Sequence, residues 1–356
     1  MASTKLYSPL KAFHFHERLR DIGCGSMPAP VHVRIKPTNR CNQSCWFCAY
    51  RADHLQLGND MAEADVIPGP KMFEIVDDLI QIGVKAVTFS GGGEPLLYKP
   101  LPGVITRLGT NGIKIGCLTN GTNLQGRYAD ALAAFGTWVR VSMDGWNGES
   151  YATARGTRPD AYGKVIANMR AFAERQTHCE VGASFIVGQD NHTHIFEACK
   201  ILKQAGARHV KVSATVVSND VAENNAYHAP LVETVKSQLA MAGELEDSRF
   251  HMVNHYHLLD ACFDKDYPLC PSIKLLTVIG ADQVVYACQD KAYTETGALG
   301  SIQNTSFKEF WFSDDNQRRI ENINPRRHCR HHCVGHGKNR AVHDYLSLER
   351  DHLPFV

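Results

Sequence analysis

The sequence lacks long apolar runs and lacks an excess of charge of either sign. No segment approaches the length of a transmembrane helix, and the polar start, residues 1–9, has no signal-peptide-like apolar stretch. The 38 Lys and Arg residues nearly balance the 37 Asp and Glu residues, which argues against a polyanion such as bulk nucleic acid as partner. We therefore expect a cytoplasmic protein without membrane or nucleic-acid partners. Its 356 residues suffice for one large domain and a small one.

Cysteine, in contrast, is abundant, with 12 residues in the chain. Disulfides are rare in the reducing cytosol, so metal binding explains these cysteines better than a disulfide framework does. Three lie within residues 41–48 and four within residues 270–333, and this grouping predicts two metal centres. The other five are scattered along the chain: Cys24, Cys117, Cys179, Cys199 and Cys262.

The first group has the spacing C-x3-C-x2-C and consists of Cys41, Cys45 and Cys48. Three thiolates on one short loop can bind three irons of a cubane cluster, which leaves the fourth iron open to a small molecule. A C-x2-C pair alone more often indicates zinc or a redox site. A structural zinc needs four ligands, however, and residues 49–52 contain no further His or Cys. The spacing therefore favours an open four-iron cluster.

Strand-like and helix-like patterns alternate from about residue 32. This alternation predicts an α/β fold, a partial and open (β/α)6 barrel with parallel strands, whose chemistry lies in the loops after the strands. We expect three regions: an N-terminal extension over 1–29, the barrel over 30–250, and a small module over 251–356 with a β-hairpin turning at 280–282 and a helix over 307–320. The predicted strands cover 31–35, 85–89, 114–118, 138–143, 180–187 and 208–214, and the predicted helices cover 71–82, 101–108, 129–135, 161–175, 194–205 and 228–243.

A glycine-rich turn, Ser90-Gly-Gly-Gly-Glu-Pro95, follows the second predicted strand. Its glycines allow close backbone approach to a ligand, and Glu94 offers a carboxylate. Alone, the pattern is typical of a tight turn; together with the cysteine triplet it resembles the radical S-adenosylmethionine (SAM) enzymes. In that family the open iron chelates the amino and carboxylate groups of SAM, and one electron from the cluster cleaves SAM to a 5′-deoxyadenosyl radical.

The resemblance implies roles for further residues at the ends of the strands. The Gly-Gly-Glu motif binds the amino group of SAM in that family, polar side chains after the fourth strand bind its ribose or carboxylate, and the fifth strand contacts adenine. Ser184 and Asn191 depart from the family pattern, in which a glycine and an acidic residue are common. The implied cluster ligands and catalytic residues are Cys41, Cys45 and Cys48, and the implied SAM-binding residues are Phe47, Gly91, Gly92, Gly93, Glu94, Asn120, Ser142, Asp144 and Ile186.

The second cysteine group comprises Cys270, Cys288, Cys329 and Cys333. Four thiolates can fully ligate one cubane, or equally a tetrahedral zinc. The hairpin between the first two cysteines, the Phe-Trp helix and the final close pair resemble the twitch module of radical enzymes, above all that of the 2-deoxy-scyllo-inosamine dehydrogenases. This resemblance implies one auxiliary 4Fe–4S cluster in addition to the SAM-binding one.

A fully ligated second cluster has no free iron for substrate, so electron transfer is its natural role. We therefore expect a dehydrogenase-like oxidoreductase that acts on a hydroxylated small molecule, such as a sugar, aminocyclitol or nucleotide sugar, and receives electrons from a donor such as flavodoxin or ferredoxin. A peptide-modifying maturase, a redox-neutral epimerase and a non-enzymatic iron–sulfur carrier or zinc-stabilised binding protein remain alternatives. The residues expected to face the substrate cavity are Lys211, Ser213, Gln289, Asp290 and Lys291.

Overall fold

A single ten-stranded sheet organises the chain. The computed structural model describes residues 7–52, 55, 58, 60–256 and 262–355, except for the side chain of residue 350. The strands are β1 (His32–Ile35), β2 (Ala86–Phe89), β3 (Lys114–Thr119), β4 (Gly136–Ser142), β5 (Glu180–Val187), β6 (His209–Ala214), β7 (His251–Asn254), β8 (Leu276–Ile279), β9 (Val284–Tyr286) and β10 (Ala298–Ser301). Their order across the sheet is β10-β9-β8-β1-β2-β3-β4-β5-β6-β7.

The predicted partial barrel is confirmed. Strands β1 to β7 lie side by side in chain order and are parallel. Crossovers between parallel strands have one hand, which places the connecting helices of such a sheet on one face. No helix in the described part of the chain is long and apolar enough to cross a membrane. The helices are α1 (His16–Gly23), α2 (Gly69–Gln81), α3 (Leu101–Thr110), α4 (Gly126–Phe135), α5 (Gly148–Arg155), α6 (Asp160–Ala173), α7 (Ile195–Gln204), α8 (Val221–His228), α9 (Val232–Gly243), α10 (Phe307–Trp311), α11 (Asp314–Glu321), α12 (Pro325–His328) and α13 (His336–Leu346).

The two faces of the barrel strands differ in character. Fully buried apolar residues, such as Val33 and Val139, alternate along β1, β4 and β6 with residues that water partly reaches. The buried set joins the core with the apolar faces of the surrounding helices, for example Ile75 of α2 and Val165 of α6. The alternate positions therefore face the inside of the curved sheet, and this interior is accessible to water.

The C-terminal hairpin continues the barrel sheet. Strand β8 pairs in parallel with β1, from His32 opposite Leu276 to Ile35 opposite Ile279, so β1 has a partner on both sides. The predicted turn at 280–282 lies between β8 and the antiparallel β9. The predicted helix over 307–320 is two helices, because Ser313 interrupts it and caps α11 by accepting a hydrogen bond from the Asn316 backbone. The boundary at residue 250 remains a prediction.

The N-terminal segment packs against the C-terminal end of the chain. A 3-10 turn, Pro9–Phe15, and α1 contact α13, where Leu19 and Val342 are both fully buried. Trp311 of α10 donates a 2.8 Å hydrogen bond from its indole nitrogen to the carbonyl of Pro28. Residues 1–6 of the predicted extension lie outside the described residues.

Candidate functional site

The first three cysteines lie on the loop after β1, at the carboxyl end of the sheet. Helix α5 supports this loop, because the Ser44 backbone donates to the Arg155 carbonyl at 3.0 Å and the Gln43 amide donates to the Tyr151 hydroxyl at 2.9 Å. Within the loop, the Cys48 backbone donates to the Cys45 carbonyl at 3.1 Å. These contacts fix the loop in a tight turn between β1 and α5.

The three thiol groups influence one another. Burial raises the pKa of Cys41 to about 11 and also raises the pKa of Cys48, and in both cases the neighbouring Cys45 adds to the rise. Thiols that are buried together and hard to ionise become thiolates when a positively charged metal centre displaces their protons. The loop therefore fits a group that brings positive charge to Cys41, Cys45 and Cys48.

The glycine-rich turn packs directly against the cysteine loop. The Gly93 backbone donates to the Thr38 carbonyl at 3.1 Å, and the Glu94 backbone donates to the Arg40 carbonyl at 2.9 Å. A Cβ atom on Gly93 would lie 2.1 Å from the Arg40 carbonyl oxygen, and one on Gly92 would lie 2.3 Å from Asn39 Oδ1. Gly91 is similarly confined by the Gly93 carbonyl. The glycines thus allow two backbone segments to touch, a requirement that exists with or without a ligand.

The carboxylate of Glu94 holds this region together. Oε1 accepts hydrogen bonds from the Leu96 backbone at 2.9 Å and the Thr119 hydroxyl at 2.6 Å, and Oε2 accepts from the Asn120 backbone at 2.7 Å. Burial raises the pKa of Glu94, while these hydrogen bonds oppose the rise. A carboxylate offers about four acceptor positions, so one is left for a ligand. The predicted contact with the amino group of SAM remains a prediction.

Replacement of Glu94 by alanine should affect both stability and SAM affinity. Three buried donors would lose their acceptor, which we expect to lower the free energy of unfolding by about 3 kcal/mol. If the remaining acceptor position binds the amino group, SAM affinity should also fall roughly 10- to 150-fold. Urea unfolding and equilibrium SAM binding measure the two effects.

Glu233→Ala is the matched control for this replacement. Glu233 pairs with Lys236 on the exposed surface of α9, so its loss should change the free energy of unfolding by less than about 0.5 kcal/mol. A Glu94→Ala protein with unchanged stability would contradict the structural role. A Glu94→Ala protein with reduced stability but unchanged SAM affinity would contradict the contact of Glu94 with the amino group of SAM.

An ion pair connects the end of β4 with the cysteine loop. Asp144 has a positive φ of 56°, and its Oδ1 accepts a 2.6 Å hydrogen bond from the Ile186 backbone. Its Oδ2 lies 2.9 Å from Arg155 Nη2, while Arg155 Nη1 donates to Cys45 Sγ at 3.2 Å. Burial raises the pKa of Asp144, and the charge of Arg155 opposes this rise. Arg155 therefore brings positive charge both to Asp144 and to a predicted cluster ligand.

Sequence reasoning missed Arg155 because it missed α5. Only Tyr151 and Arg155 are buried on this eight-residue helix, so it has no apolar stripe. The signal that could have indicated the helix is its capping box, in which Asn147 and Ser150 exchange side-chain and backbone hydrogen bonds.

A cavity of about 350 Å³ opens beside the cysteine loop. Trp46 and Phe47 line one side, and Asp144, Ile186 and Gly188 line the other, at the ends of β4 and β5. Asn191 shapes this edge, because its side chain accepts from the Gly188 backbone at 2.9 Å and donates to the Asp144 carbonyl at 3.1 Å. The volume is typical of small-molecule sites. Three of the predicted SAM-binding residues, Phe47, Asp144 and Ile186, thus surround one cavity.

Six predicted SAM-binding residues lie outside this lining: Gly91, Gly92, Gly93 and Glu94 of the glycine-rich turn, and Asn120 and Ser142. The Asn120 amide donates to Asn42 Oδ1 at 2.8 Å, which ties the end of β3 to the cysteine loop. The Ser142 hydroxyl lies 3.4 Å from the Ser184 hydroxyl on the inner face of the sheet. Their roles towards SAM remain predictions.

The thiols of the second cysteine group act electrostatically on one another. Burial raises the pKa of Cys270 to about 11, with a further contribution from Cys329. Burial likewise raises the pKa of Cys288 and of Cys333 well above the usual value, and Cys270 adds to the rise in both. The ammonium group of Lys265 opposes the rise in the pKa of Cys333 and donates to the His331 carbonyl at 2.5 Å. Four partly buried thiols with an adjacent cation fit the ligand set of a polynuclear centre.

No three His, Cys, Asp or Glu side chains converge on a single metal-ion position in the part of the chain that the structure describes. Each thiolate of a cubane binds a different iron, so the ligands of a cluster need not converge on one point. This finding is therefore compatible with a cluster at the first cysteine group, and the auxiliary cluster at the second group remains a prediction.

The residues expected to face the substrate fall into two sets. Lys211 and Ser213 lie at inner, partly accessible positions of β6. Asp290 and Lys291 are instead buried: Asp290 accepts from the Val334 backbone at 2.8 Å, and Lys291 donates to Thr296 Oγ1 and to the His328 carbonyl, both at 2.7 Å. Gln289 lies beside them in a short 3-10 turn and has a buried side-chain oxygen without a hydrogen-bond partner.

Comparison with known proteins gives matches to one family. Residues 35–195 match the model of the Radical SAM superfamily. GTP 3′,8-cyclase 2 of Pseudomonas aeruginosa is 28% identical over 146 residues, which cover 40% of this chain and 42% of that protein. The probable GTP 3′,8-cyclase of Methanothermobacter thermautotrophicus is 25% identical over 234 residues, 65% of this chain and 73% of that protein. The match to the Pseudomonas protein thus spans about two fifths of its length.

A solved structure shares the fold. Streptococcus suis SuiB bound to S-adenosylmethionine superimposes with a TM-score of 0.64 and 15% identity, over 87% of this chain and 72% of SuiB. The matched segment 35–195 contains the cysteine triplet, the glycine-rich turn and the cavity-lining ends of β4 and β5. The similarity to the radical SAM superfamily thus covers the part of this chain that contains the candidate site.

Proposed function

We propose that the protein cleaves SAM reductively at the first cysteine group and uses the resulting radical to oxidise a hydroxylated small molecule by two electrons. The observation that carries this proposal is the 350 Å³ cavity between Phe47 of the cysteine loop and the ends of β4 and β5. It is large enough for a nucleoside-sized ligand and lies directly beside the predicted open iron.

The chain's own residues would prepare this site. Cys41, Cys45 and Cys48 would hold the cluster, and its chemistry with bound SAM is the formation of a 5′-deoxyadenosyl radical. Arg155 places a buried positive charge 3.2 Å from Cys45 Sγ, which favours the reduced form of a centre held there. Trp46 and Phe47 line one side of the cavity.

The second cysteine group supports oxidation as the reaction class. Cys270, Cys288, Cys329 and Cys333 supply four thiols, enough to leave no position open on a cluster, whose chemistry would then be electron transfer. The substrate would lose a hydrogen atom to the 5′-deoxyadenosyl radical, an electron to this second site and a proton to solvent. A donor such as flavodoxin or ferredoxin would supply the first electron. The layout of the 2-deoxy-scyllo-inosamine dehydrogenases supports the same reaction class by resemblance.

A second candidate is a redox-neutral reaction on a nucleotide. The names of the two relatives, both GTP 3′,8-cyclases, favour it. In such a reaction a centre at the second cysteine group, reduced by the same donor, would give one electron to the product radical, or the group would bind substrate.

Isotope transfer distinguishes the two reactions. With substrate deuterated at the attacked carbon, we expect deuterium in 5′-deoxyadenosine and one oxidised product per 5′-deoxyadenosine formed. Mass spectrometry of both molecules, from anaerobic single-turnover reactions, provides the measurement. A product at the oxidation level of the substrate would contradict the dehydrogenation and favour the redox-neutral reaction.

A further inference from the structure

The interior of the barrel is lined by cations instead of the branched apolar side chains that usually fill such barrels. Arg34 of β1, Arg140 of β4 and Lys211 of β6 occupy inner positions that water partly reaches. In a flat sheet, β1 and β4 would be ~14 Å apart and β1 and β6 ~24 Å apart. Arg140 Cζ and Lys211 Nζ nevertheless lie 6.0 Å and 5.7 Å from the centre of the same ring, that of Tyr7, and the charge of Arg34 also acts on Lys211. The curvature of the sheet therefore gathers these three charges in one space.

These cations have few partners within the protein. The Arg34 guanidinium makes no hydrogen bond or ion pair with any residue that the structure describes, and its buried Nε is unpartnered. Arg140 donates from Nη1 to the Tyr7 hydroxyl at 2.8 Å, but its Nε is also buried without a partner. The Lys211 ammonium group lies 5.7 Å from the centre of the Tyr7 ring. Donors of both guanidinium groups are thus left for a ligand.

Negative charge around this cation group is scarce. Burial lowers the pKa of Lys211 to about 8, and the further contributions, from Arg140, Arg34 and Lys338, lower it too. Burial and Arg140 lower the pKa of Arg34, while Tyr50, Asp290 and Cys288 act in the opposite sense. The carboxylate of Asp290 is itself buried and accepts a hydrogen bond from the Val334 backbone, in the segment of the second cysteine group. One carboxylate and one thiol of the second cysteine group thus act against three cations, and unbalanced charge is costly where water reaches it only in part.

The surrounding inner positions leave room for a ligand. Gly116 and Gly182 make space for two rings, because a Cβ on Gly116 would lie 2.2 Å from the Trp138 ring and one on Gly182 2.3 Å from the His209 ring. Arg140 follows Trp138 by two positions on β4, and Ser142 follows Arg140 by two more. Along β4, the inner positions therefore pass from the Trp138 ring to Arg140 and then to the Ser142 hydroxyl, before the strand ends beside Asp144 at the cavity. Across the sheet, Arg34 is level with Trp138, and Lys211 is level with Ser142.

We propose that Arg34, Arg140 and Lys211 bind a phosphate or diphosphate group of the substrate. This inference deepens the proposed function and rests on it: the substrate would be a phosphorylated small molecule whose reacting carbon lies towards Ser142 and the SAM cavity. Guanidinium groups present paired donors that match the oxygens of phosphate, and the ammonium group of Lys211 adds a point charge. The ligand would supply the negative charge that the barrel interior lacks.

Binding of inorganic pyrophosphate to the full-length reconstituted protein tests the inference. Isothermal titration calorimetry, without SAM and without reductant, should show one pyrophosphate per chain. Because each variant removes a charge-assisted contact, Arg140→Gln and Lys211→Gln should each weaken this binding about tenfold or more. Arg170→Gln is the matched control, because Arg170 lies exposed on α6. The affinity of this variant for pyrophosphate should equal that of the unchanged protein.

Two further measurements test the inference even if one of these variants does not fold. Arg140→Lys keeps the charge and should retain more affinity than Arg140→Gln, and pyrophosphate should raise the melting temperature of the unchanged protein. Absence of pyrophosphate binding, equal affinity in all variants, or equally tight binding of the dicarboxylate succinate would overturn the inference. SAM cleavage is measured separately, so a protein that binds pyrophosphate but does not cleave SAM would refute the proposed function and leave the anion site standing.

Discussion

Replacing Cys41, Cys45 and Cys48 together by alanine should abolish 5′-deoxyadenosine formation and remove about half of the iron. The reconstituted protein should contain about eight irons per chain, four in each of two cubanes, and the triple variant about four. The expected loss is complete because SAM cleavage needs the iron that only this loop leaves open. Iron and sulfide analysis and chromatography of 5′-deoxyadenosine after anaerobic reduction provide the two measurements.

Cys24→Ala is the control for the triple variant. Cys24 is an exposed cysteine at the end of α1, outside both groups, and its loss should change neither iron content nor cleavage. A triple variant that keeps about eight irons, or that still forms 5′-deoxyadenosine, would refute the placement of the catalytic cluster on this loop.

Replacing Cys270, Cys288, Cys329 and Cys333 should separate radical formation from product formation. We expect 5′-deoxyadenosine to form still, because the first loop is held by α5 and the glycine-rich turn and not by these cysteines. Oxidised product should be absent, since the substrate radical would have no electron acceptor and would be quenched. Iron content should fall by about four per chain.

Two comparisons make this result interpretable. Cys262→Ala removes a half-buried thiol from the same region and should leave iron content and product formation intact. The single variant Cys329→Ser keeps most of the buried contacts if the quadruple variant does not fold. Zinc at the second group, with only about four irons in the unchanged protein, would contradict the auxiliary cluster. Oxidised product from the quadruple variant would contradict the role of this cluster as electron acceptor.

The barrel could be predicted from the sequence because its strands carry strong local patterns. Residues such as Val33 and Val139 are buried against helices that have clear apolar faces. These apolar patterns in the strands and helices predict six strand–helix units and their order along the chain. Strand β7 was missed because its four residues are all at least partly accessible and show no alternation. Its existence depends on pairing with β6 and not on its own composition.

The candidate site was predictable where a motif is contiguous and unpredictable where contacts join distant segments. The cysteine triplet and Glu94 stand in short motifs, whereas Arg155 reaches Cys45 across 110 positions of the chain. The contact of Gly93 with Arg40 likewise depends on how two loops meet. The cation group escaped prediction for the same reason, since Arg34 and Arg140 lie on strands far apart in sequence.

The parallel pairing of β8 with β1 also sets the distance between the two cysteine groups. The first group follows β1 directly, and Cys288 follows β9, the antiparallel partner of β8. A slip of one residue in the β1–β8 register would shift the two groups relative to each other by ~3.3 Å and would turn the side chains of β8 to the opposite face of the sheet. Rates of electron tunnelling between buried centres fall steeply with distance. The register of the four β1–β8 residue pairs would therefore influence the rate of electron transfer between centres at the two cysteine groups.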